Sequence, residues 1–180
     1  MRRWLGPLVV LLVCAAAVHL AVLRFAPGLI MTRAMDTLAA RGVVLHRFTA
    51  PLRVTPQTQS VVRSSPDLYY ALCRYDLRNP GTRVTVRMGA WPDYQSLSFF
   101  DARTVNFATL RGRGEAVAVR LLPPGSASEA GAIVSPTVKG VILVRRLAPD
   151  AARFAAAAEA GKADQCRLEW KDRVAAPGQG

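Results

Sequence analysis

Several things are scarce in this 180-residue chain, and each scarcity removes a class of function. Three cysteines are too few for a disulfide-dense scaffold or a four-cysteine zinc site. There are two histidines, and one lies inside a long apolar run, so any Ser–His–Asp or Cys–His arrangement would have to use His46. A lone histidine on a strand is ordinarily a surface or satisfied core residue. HExxH, CxxC and His-rich tracts are absent, and Gly112-Arg113-Gly114 lacks the spacing of either glycine-rich phosphate loop. The sequence therefore indicates no metal and no cofactor. Acidic residues number 12 against 24 basic ones, and charged residues of both signs make up only 20% of the chain. An apolar fraction of 51% excludes a disordered tail.

What is present begins at the N-terminus. Trp4 to Leu23 is a run of 20 residues without a formal charge, closed by Arg2 and Arg3 on one side and Arg24 on the other. At 1.5 Å per residue such a helix spans roughly 30 Å, the thickness of a bilayer's hydrocarbon core. Ala15-Ala16-Ala17 would satisfy the small-residue rule of a signal peptidase, but the apolar run continues through Leu23, which favours a retained single-pass anchor. The segments are therefore expected as an anchor with its tip (1–26), an amphipathic connector helix (27–42) and a soluble domain (43–180). Basic residues flank the anchor almost equally, so they do not fix its orientation. Cys73 and Cys166 form an even pair in the soluble part, a candidate disulfide that suits an oxidising compartment, although two unrelated core thiols would fit the sequence equally well.

From Val43 onward the pattern is one of short strands punctuated by turns. Candidate strands are 43–48, 68–77, 82–88, 94–100, 105–110, 116–122, AIVSP from Ala132, and 139–147. In TRVTVRM, Val84, Val86 and Met88 alternate with Arg83, Thr85 and Arg87, the signature of a half-buried antiparallel strand. Asp150 is a good N-cap for an alanine-rich terminal helix at about 150–162. The expected fold is mainly β (α+β): a transmembrane helix, then an antiparallel β-sandwich or barrel-like domain ending in a short helix.

Basic charge is mostly arginine, 21 residues against three lysines, and it is spread over the strands rather than gathered on one element. Nucleic-acid binding is therefore disfavoured, while contact of an Arg-rich, cytoplasm-facing domain with anionic lipid or nucleic acid stands as a lesser alternative. Two acid-containing clusters stand out, SSPDLYYALCRYDL (64–77) and DYQSLSFFDARTVNF (93–107). Asp67, Asp76, Asp93 and Asp101 fall at strand ends beside tyrosines, where turn and ion-pair duty is the common fate. A small-ligand or enzymatic pocket around Asp67 and Asp101 is the alternative.

At these clusters, with SPTVKGVILVRRL further on, the chain resembles the domain-of-unknown-function family numbered 1254, and most of all its short, membrane-anchored bacterial members. The positions that carry the resemblance are Arg63, Pro66, Asp67, Tyr70, Asp76, Tyr94, Phe100, Asp101, Asn106 and Phe107. It covers roughly Val43 to Leu147, and Ser65-Pro66-Asp67-Leu68-Tyr69-Tyr70 departs from the longer members' Asn-Arg-Asp-Thr-Leu-Tyr-Ser form. The resemblance implies a mostly β fold, an envelope location and a companion protein of the unknown-function family numbered 1214. It supplies no reaction. The leading expectation is a non-catalytic interaction module, held by one span in the inner membrane with its β-rich domain in the periplasm.

Overall fold

The computed structural model describes residues 2–53 and 64–170. A helix, α1 (Leu5–Ala40), leads into eight strands and a second helix. In chain order these are β1 (Leu68–Asp76), β2 (Thr82–Met88), β3 (Gln95–Asp101), β4 (Asn106–Gly112), β5 (Val117–Leu122), β6 (Ala132–Val134), β7 (Lys139–Leu147), α2 (Ala151–Ala160) and β8 (Gln165–Trp170). The fold is α+β, as expected.

The anchor and the connector expected after it are one helix of 36 residues, with Pro27 inside it. Helix α1 is long and apolar enough to cross a membrane. Along its length Met31 is the residue that the fold buries. The strand expected at 43–48 also differs. It is an irregular segment joined to β1 at two points, Leu45 opposite Arg74 and Thr49 opposite Leu72. His46 interrupts it with a φ of 58°, a left-handed conformation that a strand cannot contain. The segment nonetheless covers the outer edge of β1. The N–H groups of His46 and Thr49 donate to the carbonyls of Arg74 and Leu72, and the His46 imidazole Nε2 stands 3.0 Å from both backbone polar atoms of Asp76. Covering an exposed edge in this way suppresses pairing with other chains.

Two four-stranded sheets form a sandwich, with orders β1-β7-β3-β4 and β6-β5-β2-β8. All pairs are antiparallel except β5 with β6, which run parallel. Alternation in sequence becomes alternation in burial: Tyr69, Ala71, Cys73 and Tyr75 of β1 face inward, against Val84, Val86 and Met88 of β2. Leu97, Phe99, Ile142 and Val144 complete the first sheet's inner face, and Val119, Leu121 and Cys166 the second's. Helix α2 is capped by Asp150, whose carboxylate accepts the Arg153 N–H at 2.8 Å. It lies against the same core through Phe154, whose ring meets Tyr69 edge-on at 5.5 Å, and the buried Ala157.

A disulfide joins Cys73 of β1 to Cys166 of β8, so it ties the edge of one sheet to the edge of the other. Cys166 lies in β8, which a single 3-10 turn (Gly161–Ala163) and Asp164 separate from α2.

Candidate functional site

Sheet register decides which of the candidate residues meet. Along β1, Leu68 pairs with Leu147 and Asp76 with Lys139, while on the other side of β7, Asp101 pairs with Gly140. Asp67 therefore stands at one end of the sheet and Asp101 at the other, eight residue steps apart along β1, or about 27 Å. A pocket shared by Asp67 and Asp101 is not formed. Arg63 lies outside the described residues.

Pro66, Asp67, Tyr70 and Tyr94 gather at the end far from α1. Pro66 and Asp67 form the exposed turn before β1, and the Asp67 carbonyl accepts the N–H of Ala148 at 2.7 Å. The Tyr70 hydroxyl accepts the Ser65 N–H at 3.0 Å. Tyr94 is half exposed, and its hydroxyl donates to Ser96 Oγ at 3.1 Å. On the outer face of the first sheet, the register puts Tyr70, Arg145, Ser96 and Arg111 in one row.

Asp76, Phe100, Asp101, Asn106 and Phe107 lie at the α1 end. Asp101 is buried and closes the β3–β4 turn: its Oδ1 accepts the N–H groups of Arg103 and Val105 at 2.7 and 2.9 Å. Thr104 in that turn takes a φ of 66°. Beside it the register shifts between Phe99 and Phe100, a bulge that leaves carbonyls to be satisfied. With its amide oriented to suit its neighbours, the Asn106 nitrogen donates to Phe99 O and Ala108 O at 3.2 and 2.8 Å. Phe107 packs against the core, 6.1 Å from Phe99. Asp76 points to the opposite face and holds Arg78, with an N–O distance of 2.7 Å. Partial burial pushes the Asp76 carboxyl up, but hydrogen bonds and charge from Arg78, helped by Lys139, hold it below the usual carboxylate range.

Next to Asp101, Tyr75 is fully buried. Its hydroxyl lies 2.9 Å from Ser135 Oγ and 3.3 Å from the Phe100 carbonyl. Burial, and after it the nearby Asp101 charge, push the phenol up to about 12 against the pull of hydrogen bonds from Ser135 and Thr137. The hydroxyl reaches this position across Gly140, where any Cβ would collide with Phe100 O and the Tyr75 hydroxyl. A cleft of about 250 Å³ opens at this end, lined by Met31, Met35 and Asp36 of α1 and by Arg74, Asp76 and Lys139 of the sheet.

Sequence reasoning missed one cluster at the far end. Arg146 and Asp164 are both 0% exposed at their side chains and form a two-point ion pair with N–O distances of 2.6 and 2.8 Å. Asp164 Oδ1 also accepts the Gly89 N–H at 2.8 Å, and Arg146 donates to the Gly89 carbonyl at 3.4 Å. The Arg146 guanidinium lies over the Tyr69 ring at 5.8 Å. Burial raises the Tyr69 phenol, and the Asp164 charge adds to it against the pull of Arg146. The signal was parity: in KGVILVRRL, Arg146 shares a face with Ile142 and Val144, so this cation points into the core. Among the described residues no cluster of three or more His, Cys, Asp or Glu side chains is placed to hold a metal ion.

A family profile described as protein of unknown function (DUF1254) matches residues 46–168. No curated protein matches the chain. Among solved structures, the chain is similar to the VPA0106 protein from Vibrio parahaemolyticus, with a TM-score of 0.59 at 12% identity, covering 78% of this chain and 34% of that one. A putative uncharacterized protein from Burkholderia cenocepacia matches with a TM-score of 0.43 at 16% identity, covering 74% of this chain and 37% of the other. The chain thus spans about a third of the length of the first of these. At such identity the first likeness concerns the fold alone.

Proposed function

The chain belongs to the DUF1254 family of proteins of unknown function, and we propose that it is a membrane-anchored envelope protein whose β-sandwich is a non-catalytic interaction module. The observation that carries this reading is the combination of an apolar, almost wholly exposed helix α1 with a sandwich whose two sheets are clamped by Cys73–Cys166. A helix with that much apolar surface calls for lipid around it, and a disulfide persists in oxidising compartments such as the bacterial periplasm. In this reading α1 crosses the inner membrane once, is retained, and presents the domain to the periplasm.

Support for a binding rather than a chemical role comes from how the motif residues are occupied. Asp101 and Asn106 satisfy a bulged turn, Tyr70 caps the entry to β1, Phe107 packs in the core and Asp76 is paired with Arg78. Partner selection then falls to the exposed ends and to the outer face carrying Tyr70, Arg145 and Arg111. A companion from the 1214 family is the partner class that the family resemblance suggests.

Crosslinking in cells through photoreactive residues at Tyr94 or Arg111 tests the module directly. The expected result is one defined envelope protein crosslinked from these positions. A domain that crosslinks to nothing at any exposed position, while still anchored, would overturn the reading.

A further inference from the structure

The end of the sandwich from which α1 departs combines a fixed height above the membrane with an unusual surface. The charge-free run of α1 ends at Leu23, and Met31, the residue buried against the domain, follows eight positions later, about 12 Å along the helix. One headgroup layer takes up roughly 5–8 Å beyond the hydrocarbon. The domain thus docks on α1 close to the height where the headgroups end. Just past the end of α1, Val43 and Leu45 meet Arg74, two positions inside the end of β1, whereas Met31 and Met35 share a cleft with Asp76, Ala102 and Lys139 at that end. Going back along α1 toward Leu23 therefore leads out past the end of the sheet that carries loops 101–105 and 135–139.

Those loops, joined by the Ala102 N–H donating to Thr137 Oγ1 at 2.9 Å, expose Val105 at 54% and Val138 at 38%, two apolar side chains on adjacent turns. Beside them stand the exposed Arg103 and Lys139. Neither makes a direct ion-pair contact among the described residues, and Lys139 acts on the Asp76 carboxylate only from a distance. Negative charge at this end is already committed: Asp101 is turned inward onto backbone N–H groups and Asp76 holds Arg78. Asp36, the acid that α1 contributes to the cleft, lies five residues further from the membrane than Met31.

We propose that loops 101–105 and 135–139 rest on the anionic headgroups of the bilayer that α1 crosses, with Val105 and Val138 entering the interface and Arg103 and Lys139 meeting lipid phosphate. Apolar tips between cations match the two components of interfacial binding, buried area and attraction to anionic lipid. This proposal rests on the anchoring of α1. It adds that the domain is held in one orientation, with the Tyr94 end pointing away from the bilayer.

The test uses the full chain, with Cys14→Ser, in nanodiscs of phosphatidylcholine alone or mixed with phosphatidylglycerol. Single nitroxide labels at Val13, Val105, Val138 and Tyr94 report collisions with a water-soluble nickel chelate. The expected result is a shielded Val13 in both discs and, in the anionic discs, Val105 and Val138 at least about fivefold less accessible than Tyr94, since one cation near an anionic surface is worth roughly that factor in occupancy. The Arg103→Glu/Lys139→Glu variant should remove that shielding. A shielded Val13 with Val105 and Val138 as accessible as Tyr94 overturns this proposal and leaves the anchor standing. Shielding that ignores both lipid charge and the double variant also overturns it. A water-accessible Val13 overturns the anchor itself.

Discussion

At the end of the sandwich far from α1, Arg146 and Asp164 are buried as a charge pair, whereas at the α1 end the buried Asp101 carboxylate is held by backbone N–H groups and its neighbours Tyr75 and Ser135 are neutral hydroxyls. Both clusters close a gap between strands, yet their tolerance differs. A buried ion that loses its partner retains its full desolvation cost, while a hydroxyl that loses one partner costs about a single hydrogen bond. The far end is therefore specified by an unforgiving pair that joins β7, the turn after β2 and the lead into β8. The α1 end is built from softer contacts.

The largest effect should follow from breaking the pair. Asp164→Ala strands the Arg146 guanidinium in the core and should lower unfolding free energy by about 3–5 kcal/mol in denaturant titrations. Replacing both residues with apolar ones, Arg146→Met with Asp164→Leu, should recover most of that loss, because removing both charges removes the penalty. If the single and double variants are equally unstable, the pair is not the constraint. Next, the Cys73→Ala/Cys166→Ala variant opens a cross-link spanning 93 residues and should cost roughly 2–4 kcal/mol.

Smaller effects belong to the α1 end. Gly140→Ala puts a methyl group against Phe100 O and the Tyr75 hydroxyl and should cost about 1–3 kcal/mol through displacement of that strand pair. Tyr75→Phe removes a buried hydrogen bond worth about 1 kcal/mol. It should also change the alkaline limb of the stability curve. A phenol held neutral to about 12 in the folded state ionises near 10.0 once unfolded, so its contribution is present below pH 10 and lost as pH rises toward 12. The phenylalanine variant should therefore lose stability less steeply across that window. Smallest of all is Asp76→Asn: the depressed carboxyl stabilises the fold above its ordinary value of 3.8 and stops doing so as pH falls through its lower folded value. With Arg78 largely exposed, that change should show in an NMR titration of Asp76 and leave denaturant midpoints nearly unmoved.

Much of the sandwich was legible because alternation is a local property. The inward set Val84, Val86 and Met88 could be read from TRVTVRM directly, and the Asp150 cap announced α2. β8 was harder: QCRLEW is six residues long, carries charges on one face and follows an alanine-rich helix, so its pairing with β2 depends on contacts distant in sequence. The separate connector helix was read from Pro27, but a proline within a long helix is tolerated where neighbouring groups absorb the lost hydrogen bond. The Asp67/Asp101 pocket failed for a different reason. Both acids sit at strand ends, and only the register says that these are opposite ends of one sheet. Arg146 was readable by parity, but its partner, 18 residues away beyond α2, was not.

The central claim is that α1 holds in a membrane a domain whose sheets are locked by Cys73–Cys166 in an oxidising compartment. Cysteine labelling in cells expressing the full chain tests this most directly. Both cysteines are almost fully buried, so the cells should be quenched with acid to stop thiol–disulfide exchange, free thiols alkylated in denaturant at neutral pH, and a second, distinguishable reagent applied after reduction. The expected outcome is that Cys73 and Cys166 take only the second label, together, while Cys14 takes the first. Cys73 and Cys166 both carrying the first label would mean reduced thiols, and would contradict the oxidising location and the clamp alike.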